Sequence, residues 1–165
     1  MNVFHELGIQ SGEDRINEEV IYNIARVYAT INNALSFFLA AYKMSPAKFN
    51  ILLMVKHVGR DKGMAQNEIS KLLLVTTSNM TRMIDKLQKE GYVERLAQEG
   101  DRRVHLIKIT KNGSDLLDTI WPRYKETIDN FVGQSFSRKD KQAINESLEK
   151  LRDLIKVKGK IRERS

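Results

Sequence analysis

The chain has 165 residues, of which 41% are hydrophobic and 30% are charged, a composition that suits a folded domain and excludes a disordered chain. The absence of cysteine excludes disulfides, thiolate metal sites and a cysteine redox switch. No run approaches about 18 consecutive apolar residues, and no basic and apolar leader opens the chain, so we expect a cytoplasmic protein with no membrane partner.

Net charge gives only weak support for a nucleic-acid partner. The chain carries +7 with an isoelectric point near 9.6, and such an excess favours a polyanion. The stretch from Lys156 to Ser165 alone contributes +4, so the rest of the chain carries only +3. A DNA-binding function therefore has to be argued from where particular residues are placed.

The first part of the chain predicts two helices. Apolar residues spaced by three and four indicate a long amphipathic helix over residues 16–41. Ser45 is a suitable N-cap and Pro46 a suitable first helical residue, so the second helix begins there and ends at Gly59. Residues 59–63 form a turn.

Two short helices follow, one over residues 66–73 and one that begins after Thr76 and runs to Glu90. The second helix has four residues at the spacing of a buried stripe, which are Met80, Met83, Ile84 and Leu87. Gly91 suits the left-handed position that ends a helix.

Residues 92–96 and 104–109 alternate and are rich in β-branched types, so they predict two strands joined by a hairpin loop over residues 98–103. Two long helices follow, capped by Thr110 and Ser137. The fold class is therefore mainly α with a small β-hairpin, that is, a winged helix-turn-helix with long N- and C-terminal helices.

The apolar faces of the terminal helices have two interpretations. They form either an intramolecular core or a subunit interface, and their position on either side of a compact middle favours dimerisation. In a homodimer, the two recognition helices would lie about 34 Å apart on a roughly palindromic site.

The second short helix has the surface of a recognition helix. Its outward face carries Thr77, Ser78, Thr81, Arg82, Asp85 and Lys89. Short polar groups and an arginine in its first turns can approach base edges and phosphates in a major groove. The candidate DNA contacts are Thr77, Ser78, Asn79, Thr81 and Arg82. The alternative is that these hydroxyl and amide groups merely cap an ordinary surface helix.

The predicted hairpin loop supports the DNA-binding interpretation. Arg102 and Arg103 at its tip are suited to a narrow, electronegative minor groove. Asp101 would repel phosphate if it stood free, so its expected role is to orient one arginine by a charge-assisted hydrogen bond. A solvated loop with a surface ion pair is the alternative.

These residues together resemble the MarR family of bacterial winged-helix regulators. The resemblance depends on the run 66–73, on Val75-Thr76, on 80–95, and on Gly100-Asp101-Arg102-Arg103 followed by 109–113. It covers residues 46 to 113 in detail and the rest of the chain loosely.

The resemblance implies a homodimeric transcriptional regulator, usually a repressor, with a small-molecule pocket between two lobes. The whole chain would be one domain, with a winged-helix lobe over 46–110, a dimerisation lobe formed by 16–45 and 111–157, and a basic tail over 158–165. Two positions depart from the family pattern. Ala65 replaces the usual Ser or Thr cap, and Leu74 stands where the turn often has Gly, so we expect a weaker helix start and a different turn geometry.

Other chemistry has little support. The three histidines share no metal-type spacing, and no nucleophile has an evident base partner, so we expect no metal, no cofactor, no catalytic residue and no enzyme. Aromatic side chains at helical spacing are usually core, but a subset is also a candidate effector pocket. The candidates for that pocket are Phe38, Tyr42, His57, Trp121 and Tyr124.

The function predicted is a sequence-specific regulator that binds a pseudopalindromic operator in double-stranded DNA as a homodimer, as a ligand-responsive repressor. One alternative is a DNA-architectural protein without sequence preference, which competition by random duplex would distinguish. Another is a winged-helix protein-interaction module, which the hydroxyl-rich helix face and the paired arginines of the loop argue against.

Overall fold

The structure is a computed structural model that describes residues 3–10, 12–98, 101–133 and 135–162. Its helices are α1 (Val3–Glu6), α2 (Ile16–Ala40), α3 (Pro46–Met54), α4 (Gln66–Leu73), α5 (Thr77–Lys89), α6 (Lys111–Val132) and α7 (Arg138–Arg162). Its strands are β1 (Met64–Ala65), β2 (Val93–Gln98) and β3 (Asp101–Ile109). The predicted class, a mainly helical winged helix-turn-helix, is confirmed.

The chain divides into two compact units. The first comprises residues 1–118 and the second residues 119–165, so α6 begins in one unit and ends in the other. The winged-helix lobe predicted for 46–110 lies within the first unit. The assignment of 16–45 and 111–157 to a dimerisation lobe stays a prediction.

Helix α2 is long but contributes little to the core of its own chain. Leu39 is its one buried residue among the 25 that it contains. The apolar residues that the helical spacing predicted on one face are mostly exposed or half-buried. Its exposed large apolar residues are Ile16, Val20, Ile21, Tyr22, Val27, Tyr28, Ile31 and Phe37.

The N-terminal helix α1 was missed by the sequence reasoning because four residues are too short to show a period. Phe4 is 1% exposed, and its ring meets the ring of Tyr22 edge-on with centroids 5.8 Å apart. The Arg15 guanidinium lies 4.9 Å from the centre of the same Phe4 ring. These contacts hold α1 against the first turns of α2.

Helix α3 begins as predicted. Ser45 is the N-cap, its hydroxyl accepts a hydrogen bond from the backbone N–H of Lys48 at 3.3 Å, and Pro46 is the first helical residue. The helix does not continue regularly to Gly59, because residues Val55–Gly59 form a π-helical turn. A short 3₁₀ turn over Arg60–Lys62 then leads into β1.

The sheet has three antiparallel strands in the order β1-β3-β2. Strand β1 pairs Met64 with Ile107, and it escaped prediction because two residues carry no alternating pattern. The predicted loop over 98–103 is too long, since β2 extends to Gln98 and β3 starts at Asp101. Glu99 and Gly100 lie outside the described residues.

The hairpin register is irregular near its tip. Ala97 pairs with His105, whereas the next residue, Gln98, pairs with Asp101. Three residues of β3 therefore lie between two successive partners on β2, which is a bulge. Such a bulge bends a strand locally and increases its twist, so the end of the hairpin does not follow the direction of its base.

The core of the first unit forms where α3, α4 and α5 meet the sheet. Met80, Ile84 and Leu87 of α5 are each fully buried, as predicted. Met83 was predicted to belong to the same stripe, and this was wrong: it is half-buried and lines a cleft beside α2 and α3. The stripe is narrower than the spacing suggested because successive i, i+3 and i+4 positions spread over a wide arc of the helix.

One buried cation joins three elements of this unit. The Lys48 ammonium lies 2.8 Å from Oε1 and 2.5 Å from Oε2 of Glu90, at the end of α5. It also lies 3.5 Å from the carbonyl oxygen of Lys43, after α2. Lys48 is only 8% exposed, so this contact supplies the counter-charge that a buried ammonium needs.

The junction between the sheet and α6 is tightly built around Thr110. Its hydroxyl donates to the carbonyl oxygen of Gly91 at 2.7 Å and accepts from the N–H of Gly113 at 3.1 Å. Its own N–H donates to the carbonyl oxygen of Tyr92 at 3.1 Å. The predicted cap is confirmed, and it also fixes the start of α6 against the end of α5.

In the second unit, Ser137 caps α7 as predicted. Its hydroxyl accepts from the N–H of Asp140 at 3.2 Å, while its own N–H and hydroxyl donate to the Asp140 carboxylate. These hydrogen bonds lower the pKa of Asp140. Helix α7 continues to Arg162, so the backbone over 158–162 is helical, and residues 163–165 lie outside the described part of the chain.

The two departures from the family pattern have different outcomes. Ala65 offers no capping side chain, but the Glu68 carboxylate accepts from the Ala65 N–H at 3.1 Å, which preserves half of a capping box. Leu74 was expected to force a different turn, and this was wrong. It adopts the left-handed conformation (φ 53°, ψ 41°) that glycine would have supplied, with its side chain 89% exposed.

Replacing Leu74 with glycine should stabilise the protein. A branched side chain in the left-handed region costs about 1 kcal/mol, and little packing is lost because Leu74 is almost fully exposed. We therefore expect Leu74→Gly to raise the free energy of unfolding by about 1 kcal/mol in urea titrations. Leu72→Gly, inside α4, is the matched control and should lower the free energy of unfolding. A Leu74→Gly protein less stable than the wild type would contradict the backbone strain inferred at Leu74.

Candidate DNA-binding site

The site begins with the helix-turn-helix formed by α4 and α5. Thr76 precedes α5 at the predicted N-cap position, although its hydroxyl caps no backbone N–H and lies 3.5 Å from the Ser78 hydroxyl. Thr77, Ser78 and Asn79 occupy the first turn and are all exposed. Their side chains stand beside the N–H groups of a helix start, which favour phosphate.

One face of α5 is already engaged within the protein. The Thr81 hydroxyl accepts from Nε2 of Gln66 at 2.7 Å and donates to the Thr77 carbonyl at 3.0 Å. Further along this face, Asp85 and Gln88 both accept hydrogen bonds from Arg95 of β2. We call this set (Thr81, Asp85 and Gln88) the bracing face. Thr81 was predicted to contact DNA; its hydroxyl bonds to Gln66 and Thr77, and the DNA contact stays a prediction.

A second face of α5 is open and cationic, and we call it the reading face. Asn79, Arg82 and Lys86 line the same cleft of about 330 Å³, together with Met83. Arg82 and Lys86 are exposed and make no ion pair with any other residue that the structure describes. Lys86 was not among the residues predicted to contact DNA, although its position four residues after Arg82 places it on the same face of the helix.

The side chains of the reading face are suited to contacts with a nucleic acid. It presents an amide and two permanent cations on consecutive turns, which together can reach base edges and phosphates in one groove. Ser78 adds an exposed hydroxyl at the helix start. No acidic side chain lines the cleft that these residues share.

We call the β2–β3 hairpin the wing. Only the backbone positions of the residues predicted to contact DNA at its tip are described. Asp101, Arg102 and Arg103 belong to the first part of β3, so they are strand residues rather than loop residues. Their side chains lie outside the described part of the structure. The minor-groove contact of Arg102 and Arg103, and the orienting role of Asp101, therefore stay predictions.

Comparisons with known proteins agree with this geometry. A family model described as "MarR family" matches residues 42–104. The regulator PecS of Dickeya dadantii is 29% identical over 122 residues, which cover 74% of this chain and 73% of PecS. Over residues 42–104 the chain is therefore similar to the MarR family. Its winged helix and these similarities agree with a DNA-binding transcriptional regulator.

Two solved structures share the fold. The Staphylococcus aureus MepR–DNA complex superposes with a TM-score of 0.74 at 18% identity, over 80% of this chain and 95% of MepR. CouR of Rhodococcus jostii, bound to p-coumaroyl-CoA, gives 0.70 at 18% identity, over 84% of this chain and 92% of CouR.

The five residues predicted for an effector pocket come from the end of α2 and the turn after it, from the π-helical turn and from α6. Phe38 and Tyr42 have ring centroids 5.7 Å apart in the first unit. Trp121 and Tyr124 stack with centroids 5.7 Å apart in the second unit, and burial raises the pKa of Tyr124. His57 lies in the π-helical turn. A pocket built from all five stays a prediction.

A different cleft of about 230 Å³ borders the recognition helix itself. It is lined by apolar groups with three neutral polar side chains and no charged one. Its lining comes from Tyr28, Ile31, Asn32, Leu35, Pro46, Ala47, Asn50, Leu73, Val75 and Met83. None of the five predicted pocket residues belongs to it.

Two further observations concern the chemistry of the described residues. No helix in the described ranges combines the length and the apolar character needed to cross a membrane. Within those same ranges, the His, Asp and Glu side chains form no group of three that is suited to a metal ion.

Proposed function

We propose that this chain is a MarR-family transcriptional regulator, a sequence-specific repressor that binds a pseudopalindromic operator as a homodimer. The observation that carries the proposal is the open reading face of α5, where Asn79, Arg82 and Lys86 share one cleft. Sequence preference needs groups that contact base edges in a fixed register, and α5 carries such groups on a helix that is braced on its other face.

The dimer is supported by the apolar surface that single chains leave uncovered. Helix α2 exposes Val20, Val27 and Tyr28, at 46%, 56% and 71% of their surface. Helix α7 exposes Ile144, Leu148 and Ile155, at 43%, 45% and 58%. Long helices with exposed apolar residues are typical of subunit interfaces. A twofold partner would place two reading faces on successive turns of one duplex.

The response to a ligand is supported by the cleft that borders α5. A small uncharged or aromatic molecule fits its apolar lining and the neutral polar groups of Tyr28, Asn32 and Asn50. Because Val75 and Met83 form part of the wall, a molecule held there would press on the turn before α5 and on α5 itself. Displacement of the reading face would then release the operator.

Selection from random duplex tests the function. The wild-type protein should enrich one roughly palindromic sequence and bind it at least about a thousandfold more tightly than a scrambled duplex. Arg82→Ala and Arg103→Ala should each weaken binding to the selected duplex by about 1–3 kcal/mol. The control is Lys150→Ala on α7, which should change the affinity little.

The outcomes separate the alternatives. Equal affinity for selected and scrambled duplexes would indicate an architectural protein, and no binding to either would indicate a protein-interaction module. If Arg103→Ala leaves the affinity unchanged at matched salt, the wing has no part in recognition. Sedimentation should show a dimer for the protein alone and two protein chains per duplex for the complex.

A further inference from the structure

Arg95 occupies an unusual position for a cation. Residues alternate between the two faces of a strand, so Arg95 lies on the same face of β2 as Val93, which is 2% exposed. Across the sheet it pairs with Ile107, which is fully buried. This face is the one that meets the helices, and a guanidinium directed there is unfavourable unless it finds acceptors.

Arg95 finds two acceptors, and both belong to α5. One guanidinium nitrogen donates to Oε1 of Gln88 at 2.6 Å, and the other donates to Oδ1 of Asp85 at 2.6 Å. The two acceptors are three residues apart, so one turn of the helix presents them side by side to the planar fork. The Arg95 side chain is 24% exposed and that of Asp85 55%, so water screens the carboxylate more than the guanidinium.

The contact joins the two DNA-binding parts of the fold. Asp85 lies on α5 between Arg82 and Lys86 in the chain, but on the bracing face rather than the reading face. Arg95 lies on β2, the strand that leads to the hairpin tip. The contact between Gln66 and Thr81 holds the first half of α5, and the Arg95 fork holds the second half.

We propose that Arg95 is a positioning residue for DNA recognition, whose fork fixes the angle of α5 against the wing. The proposal rests on the proposed function and names a residue that acts without touching DNA. Without the fork, α5 still packs through Met80, Ile84 and Leu87, so the fold persists, but the fork no longer fixes the direction of α5 against β2. Base reading requires precise placement, whereas attraction to phosphates does not.

The test compares charge-matched and charge-removing variants. Arg95→Lys keeps the charge but cannot form the fork, and Arg95→Met keeps only the apolar stem. Asp85→Asn weakens the same contact from the side of the acceptor. The double variant Asp85→Asn with Arg95→Met completes a double-mutant cycle, which measures the coupling between the two residues. Arg82→Met is the matched control, because Arg82 lies on the reading face.

Affinities are measured for the duplex that the wild-type protein selects from a random pool and for a scrambled duplex, between roughly 50 and 200 mM salt. Arg95→Lys and Arg95→Met should bind the selected duplex about tenfold more weakly. Their affinity for the scrambled duplex should stay within about twofold, and their salt dependence should not change. The double variant should bind no more weakly than Arg95→Met alone, because both changes remove one contact. Arg82→Met should instead weaken both duplexes and lower the salt slope by about one.

Three results would overturn the proposal. If the Arg95 variants lose affinity equally for both duplexes with a lower salt slope, Arg95 contacts phosphate directly. If they retain the wild-type ratio of affinities, the fork does not position the helix. If the effects of Asp85→Asn and Arg95→Met add fully, the two residues act separately. A wild-type protein that selects no sequence at all would instead refute the proposed function, and this inference with it.

Discussion

Replacing Gly113 with alanine should destabilise the protein by about 3 kcal/mol, because the new methyl group would enter occupied backbone space. A Cβ at this position would lie 2.2 Å from the carbonyl oxygen of Tyr92 and 3.0 Å from a side-chain carbon of Ile109. Neither neighbour can yield easily, since the Tyr92 carbonyl also accepts from the Thr110 N–H and Ile109 belongs to β3. The whole start of α6 would have to move away from the sheet.

Urea unfolding followed by circular dichroism measures this effect. Asn112→Ala is the matched control, because Asn112 is the preceding, exposed residue on the same helical turn and should change stability by less than about 0.5 kcal/mol. A Gly113→Ala protein as stable as Asn112→Ala would mean that the close approach of α6 to Tyr92 does not exist.

Removing the partner of the buried lysine should have the second largest effect. Glu90→Ala leaves the Lys48 ammonium, in a residue only 8% exposed, without its counter-charge. We expect a loss of about 2 kcal/mol in the free energy of unfolding, below the roughly 3–5 kcal/mol of a fully buried pair, because the Glu90 side chain is 39% exposed. Lys48→Met removes the cation itself and should cost less, since the replacement fills the same space with an apolar chain.

The comparison between these two variants is the informative measurement. Glu94→Ala, an exposed acidic residue on the neighbouring strand, controls for the general loss of a negative charge and should be nearly neutral. If Lys48→Met proves as destabilising as Glu90→Ala, the pair stabilises the fold by its own attraction. In that case, desolvation of the orphaned ammonium is not the cause.

The predictions that were confirmed depended on strong local signals. The helix over 16–40 follows from apolar spacing, and the caps at Ser45, Thr110 and Ser137 follow from hydroxyl side chains just before helical runs. Each of these signals is a property of adjacent residues, so it is visible without knowledge of the tertiary structure.

The features that were missed depend on partners distant in sequence. Strand β1 exists because Met64 meets Ile107, and Thr81 is occupied because Gln66 lies beside it in space. Arg95 drew no prediction beyond its place in a strand, since its neighbours along the chain do not indicate the acceptors on α5. Sequence spacing indicated which residue types could contact DNA, but not which of them the fold had already engaged.

Leu74 shows a different reason for error. The expected change of turn geometry assumed that the backbone yields to the side chain, whereas the packing of α4 and α5 imposes the left-handed conformation on leucine. Local preference was outweighed here by Ile69 of α4 and Met80 of α5, which are both fully buried.

The Thr110 junction also determines which parts of the first unit move together. One hydroxyl and one amide link the last residues after α5, the end of the hairpin and the first turn of α6. These hydrogen bonds tie the first turn of α6 to the residues that follow α5. A change in the direction of that first turn would therefore be accompanied by a shift of Gly91 and Tyr92, directly after the helix that carries the reading face.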